Sequence, residues 1–200
     1  MSPAVRLPAA ERRQSLLEAA LPIFAAGSYR GVTTAEIARA AGVSEPVLYR
    51  HFPSKRALYL ACFDEAWRGL RESWECAVAA ADDPSLWIWA MRNAVLSIKD
   101  DVVLPSTLWI QGLAEAGDDE VIRDHLRAHM SAVHAFVRDV IGRAQAAGGV
   151  ARERDPGAEA WIFLAGGLLL TVADRLGGLL GEDELAGIAA SRLRWLAGRD

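Results

Sequence analysis

The valines, isoleucines and threonines of this 200-residue chain never gather into an alternating run; alanine and leucine dominate instead. A pleated sheet has no raw material here, so helical period is the reading nearly everywhere. Clusters of glycine, proline and acid cut the pattern at GSYRG (27–31), AGVS (41–44), FPS (52–54), ADDPS (81–85), the Asp100 to Pro105 break, AGDDE (116–120), AAGGVARERDP (146–156) and GGLLGED (177–183). The expectation is an all-α fold of about nine helices, the first three short and the rest longer. Composition changes near residue 55, which divides the chain into 1–54 and 55–200. SKRALYLACFDEAWRGLRESW runs straight on as one helix, so no flexible linker is expected there.

Charge follows the same division. Residues 1–60 hold eight Lys and Arg against four Asp and Glu, within a chain whose net charge is −4. A basic block on an acidic body suggests that only the block meets a polyanion. Cys62 and Cys76 lie 14 residues apart on one helix, roughly 21 Å at the α-helical rise, too far for a disulfide. MSPAVRLPAAERR lacks the apolar core of a signal peptide. The longest apolar run, AWIFLAGGLLLTVA (160–173), is shorter than the roughly 20 residues of a membrane span. These features read as a cytoplasmic protein with no membrane partner.

The basic block carries two legible helix starts. Thr33 and Glu36 fit a capping box, and Ile37, Ala38 and Ala41 supply the inward face. Gly42 suits a left-handed turn, Ser44 caps the next helix and Pro46 sits in its first turn. A short helix, a glycine turn and a second short helix make a helix-turn-helix, whose second helix enters the DNA major groove. Leu48 and Phe52 are its inward pair, leaving Glu45, Tyr49 and His51 outward. Ser54 then caps a helix that opens with Lys55 and Arg56, cations that oppose the helix dipole unless a phosphate docks there. Taken singly, Tyr49 and Phe52 also fit a core, and Lys55-Arg56 a solvated helix start.

The stretch GVTTAEIARAAGVSEPVLYRHFPSKRALY resembles the DNA-binding domain of TetR-family transcriptional regulators, over about residues 31–59, with ERRQSLLEAALPIFAAGSY as a fitting first helix. The resemblance implies DNA contacts from Thr33 and Thr34, from Ser44, Glu45, Pro46, Val47, Tyr49 and His51, and from Lys55. Tyr49, His51 and Lys55 would hold phosphates, while Glu45, Pro46 and Val47 would approach base edges. Pro22, inside the first helix, costs about 3 kcal/mol unless the helix kinks.

In the body, Phe63, Trp67, Leu70 and Trp74 form one apolar stripe at helical spacing. Seven tryptophans in the chain make either an aromatic core or a cavity for a flat, apolar ligand. The cavity reading draws on Phe63, Trp67, Leu70, Trp74, Trp109, Met130 and Trp161, and the resemblance implies such an effector site without fixing its residues. His125 and His129 share a helix face, but His134 lies about 140° further round. Two histidines without a third ligand read as surface or rim residues rather than a metal site.

The last two helices, about 156–176 and 183–197, read as a dimerisation surface through Leu164, Leu168, Val172, Leu185, Ile188 and Leu193. Two from each subunit would form a four-helix bundle; an ordinary core pair is the other reading. No Ser-His-Asp arrangement, CxxC or paired acids suggest an enzyme, and no cofactor is expected. The functional expectation is a homodimeric regulator, most simply a repressor, binding a palindromic double-stranded operator and a small apolar or aromatic effector. The alternative is a helical interaction or small-molecule-binding protein without operator specificity.

Overall fold

The computed structural model describes residues 8–97 and 105–199. Nine α-helices follow one another among them: α1 (Ala9–Ala26), α2 (Thr34–Ala40), α3 (Glu45–His51), α4 (Lys55–Ala79), α5 (Trp87–Leu96), α6 (Pro105–Ala116), α7 (Glu120–Ala146), α8 (Pro156–Arg175) and α9 (Glu182–Leu196). A single 3-10 turn, Pro84–Leu86, leads into α5. There is no strand among the described residues, as the lack of alternating β-branched runs requires. Much of the Asp100 to Pro105 break lies outside the described residues.

The described residues within Met1–Arg68 and Asp100–Leu126 form one compact unit, and those within Gly69–Lys99 and Arg127–Asp200 a second. Neither unit divides from the other at residue 54/55.

In the first unit the core collects Leu16, Leu17, Ala20 and Phe24 of α1, Ile37 of α2, Leu48 of α3, Leu58, Tyr59 and Phe63 of α4, and Leu108 and Trp109 of α6, all buried. Tyr59 is its hub. Its ring meets Phe24 edge-on at 4.9 Å, Tyr29 at 4.8 Å and Phe63 edge-on at 5.1 Å. Helix α6 can lie against this cluster because residue 112 is glycine. A Cβ there would stand 3.2 Å from both the Phe63 ring and the Leu126 side chain. Helix α1 runs through Pro22 without interruption. That residue is exposed, where water can take the carbonyl that its missing N–H leaves over.

In the second unit Val133, Val137, Val140, Ile141 and Ala144 give α7 its buried face. Trp74 stacks on Phe136 at 6.0 Å and meets Phe163 edge-on at 5.6 Å. The carboxylate of Glu159, buried on α8, accepts from Trp195 Nε1 at 2.8 Å and pairs with Arg192, which ties α8 to α9. The glycine pair after α7 has a steric cause. A Cβ on Gly149 would lie 2.3 Å from the carbonyl carbon of Pro84, while Gly148 adopts φ 82°.

Candidate nucleic-acid interface

Helix α2 starts where the side chains say it should: the Thr33 hydroxyl accepts the Glu36 N–H at 3.2 Å. The turn that follows closes through Val43 N–H to the Ala38 carbonyl at 2.9 Å. Gly42 takes φ 65°, a left-handed value that disfavours any side chain. Ser44 holds the N-cap position of α3, but its side chain makes no capping bond. Its carbonyl does the work instead, accepting from Val47 and Leu48 at 2.9 and 3.2 Å. Pro46 brings no N–H to this first turn, so little is left for the hydroxyl to satisfy. Ser54 does cap α4, accepting from the Ala57 N–H at 3.0 Å.

Leu48 and Phe52 are buried and anchor α3. Ser44, Pro46 and Tyr49 are exposed, Glu45, Val47 and His51 half-buried, and Thr33 exposed at the start of α2. Thr34 is buried, and its Oγ1 reaches across to α3, donating to Glu45 Oε1 at 2.6 Å and lying 3.0 Å from the Tyr49 hydroxyl.

Lys55 is tied into its own domain. Its ammonium donates to the Val32 carbonyl at 2.8 Å and to the Arg30 carbonyl at 3.4 Å, and sits 4.6 Å from the centre of the Tyr29 ring. Burial lowers its pKa from the ordinary lysine value. Two further cations face the acidic end of α6. Arg30 pairs with Glu115 at 3.0 Å and with Asp118, and Arg56 with Asp119 at 2.9 Å. The hydrogen bond from Arg56 holds the Asp119 carboxyl below the ordinary aspartate range. The two cations that open α4 are thus answered within the chain, Lys55 by the Val32 and Arg30 carbonyls and Arg56 by Asp119.

Arg39 and Arg50 are what the sequence reading missed. Both are exposed in the last turns of α2 and α3 and have no ion-pair partner among the described residues. Their signal was plain in ARAAGVSEPVLYRHF, but cations at helix C-termini are also ordinary dipole complements.

The residues read as ligand-binding separate by unit. Phe63, Trp67 and Trp109 belong to the first, and Leu70, Trp74, Met130 and Trp161 to the second. Phe63, Trp74 and Trp109 are buried, Trp67, Leu70 and Met130 half-buried, and Trp161 exposed. Trp161 stacks on the His134 ring at 4.2 Å. A hollow of about 510 Å³ in the second unit is lined by others, among them Arg71, Glu75, Trp87, Phe136 and Arg143. His129 is buried, not at a rim, and the described residues hold no cluster of three metal-ligating side chains.

On the last two helices, Val172 and Ile188 are exposed, and Leu168, Leu185 and Leu193 half-buried. Leu164 is 6% exposed and packs inside its own chain. The outward face of α8 is instead Trp161, Ile162, Leu169 and Val172, continued by Leu176 at its C-cap. Ile162, Leu169 and the C-cap Leu176 recur every seven residues, one stripe along the helix and its end.

Two short helices joined by a left-handed glycine turn, the second anchored by Leu48 and Phe52, define a helix-turn-helix DNA-binding domain. Residues 16–62 match the model for bacterial regulatory proteins of the tetR family. It is 55% identical over 56 residues to the HTH-type transcriptional activator FasR of Mycolicibacterium smegmatis, covering 28% of this chain and 26% of that one. The chain spans less than two thirds of the length of the curated relatives it first matches, at 26%, 66% and 55%. Its fold is similar to that of a TetR-family transcriptional regulator from Rhodococcus sp., with a TM-score of 0.81 at 23% identity, covering 94% of this chain and 99% of that one. It is also similar to AibR in complex with isovaleryl coenzyme A and operator DNA, with a TM-score of 0.66 at 21% identity, covering 94% and 100%.

Proposed function

We propose that the chain is a cytoplasmic, ligand-responsive transcriptional regulator, most simply a repressor, that binds a palindromic operator as a homodimer. Residues 1–54 read DNA, and residues 55–200 bind effector and dimerise. The observation that carries the reading is the surface of α3. Leu48 and Phe52 fix the helix from behind while Ser44, Pro46, Tyr49 and Arg50 stay exposed in front. A seven-residue helix held in this way suits the major groove.

Dimerisation is supported by the apolar side of α8 and α9. Leu176 is 67% exposed and Trp161 and Ile188 each 49%. Helix α8, with 20 residues and an 18-residue window of mean hydropathy 1.4, is long and apolar enough to cross a membrane by length and composition alone, which the shorter sequence run had not suggested. A second copy covering this stripe through a four-helix bundle removes it from water equally well. The fold shared with AibR, solved with isovaleryl coenzyme A and operator DNA, supports a chain that takes both an effector and an operator.

Sedimentation of the full chain, followed by an anisotropy titration against the DNA flanking its gene at 50 and 200 mM salt, tests the proposal. A dimer whose affinity falls about 10³-fold or more between the two salts, with 6–10 phosphate contacts, is expected. A monomer with equal, weak binding to flanking and random DNA overturns it.

A further inference from the structure

The hydrogen-bond chain from Thr34 to α3 fixes more than position. A carboxylate only accepts, so the single Thr34 proton goes to Glu45 Oε1 at 2.6 Å. The 3.0 Å contact between Thr34 Oγ1 and Tyr49 must then carry the Tyr49 proton, donated inward. With Thr34 buried, no water competes easily for either bond. What α3 turns outward is consequently an acceptor-only pair: Glu45 Oε2, which has no partner among the described residues, and the remaining lone pairs of the half-exposed Tyr49 hydroxyl.

In the major groove guanine offers N7 and O6 as acceptors, adenine an N7 acceptor beside its amine, and thymine an O4 acceptor. Cytosine alone shows a donor, its N4 amine, with no acceptor beside it. We infer that Thr34 is a specificity-positioning residue, which locks Glu45 and Tyr49 as an acceptor pair and makes α3 select cytosine at one position of each half-site. The inference rests on the proposal that α3 enters DNA. It also gives Tyr49 a task other than donating to a phosphate, since its proton is committed to Thr34.

The test is selection of a random-sequence duplex library by the full chain, comparing wild type with T34V, T34S and E45Q. Wild type should enrich a motif with cytosine at one position per half-site. E45Q, which adds a donor, should move that position toward adenine, the base a glutamine reads through N6 and N7. T34V should flatten the cytosine preference by roughly tenfold with other positions unchanged, and T34S should restore it. If T34V melts well below wild type, T34S and E45Q carry the comparison. A motif identical in wild type, T34V and E45Q, or a uniform loss at all positions, overturns the inference and leaves DNA binding standing. A wild-type chain that enriches no motif overturns both.

Discussion

Lys55 separates two accounts of the same residue. By resemblance it holds a DNA phosphate; by geometry it braces the loop between α1 and α2 before any DNA arrives. Replacing it with methionine keeps the aliphatic stem and removes the ammonium. That takes away a charged donor 2.8 Å from the Val32 carbonyl and a cation 4.6 Å from the Tyr29 ring. A hydrogen bond to a charged group contributes about 1.5–3 kcal/mol, and a cation over an aromatic ring about 0.5–1 kcal/mol where partly exposed. Methionine recovers part of this by packing on Tyr29, leaving a loss of about 2 kcal/mol. For a chain of this size each kcal/mol shifts the melting midpoint by about 2–4 °C, so Lys55→Met should melt about 4–8 °C lower with no DNA present. Scanning calorimetry of the free protein reads this directly. An unchanged midpoint, with a salt slope on DNA shallower by about one unit, would refute the bracing role and leave only the phosphate contact.

Three other outcomes follow from the same structure. Gly149→Ala forces a Cβ to within 2.3 Å of the Pro84 carbonyl carbon, a backbone clash worth about 3 kcal/mol; thermal melting should fall by about 6–12 °C, and a fall under 2 °C would contradict the close approach. Asp119→Asn keeps a cap for the Val121 and Ile122 N–H groups but loses the charge paired with Arg56. Because the folded carboxyl lies below its ordinary value of 3.8, the stabilisation is present above that pH and fades as pH falls through the folded value. Wild type should therefore outlast the variant in melts at pH 6, with the gap closing below about pH 3.8; a gap independent of pH would remove the ion pair from the account. Leu176→Asp, at the exposed C-cap of α8, should turn the sedimenting species from dimer to monomer, and an unaltered dimer would move the interface elsewhere.

Local chemistry was the legible part of this chain. Thr33, Ser54 and Gly42 each act within a few residues of themselves, and their side chains announce it. The inward pairing of Leu48 with Phe52 is likewise a matter of helical spacing. Ser44 shows the limit even at short range, because a carbonyl can replace a hydroxyl as the first acceptor of a helix. Contacts across long separations left no such mark. Arg30 meets Glu115 across 85 positions and Arg56 meets Asp119 across 63, and no periodicity encodes a pairing between one helix start and the end of another. Thr34, read as a DNA contact from its motif, turns out to be buried against Glu45 and Tyr49, a matter of how two short helices cross. Leu164 and Leu169 are both leucines of one apolar helix. Only the fold decides which of them faces the core.

A hydroxyl-radical footprint of the full chain on its enriched duplex tests the central claim most directly. Two α3 helices related by a dimer axis should protect two half-sites centred about 34–36 Å apart, or a whole multiple of that spacing, on one face of the DNA. A single protected patch, or protection with no fixed phase between halves, would contradict a dimer that reads a palindrome.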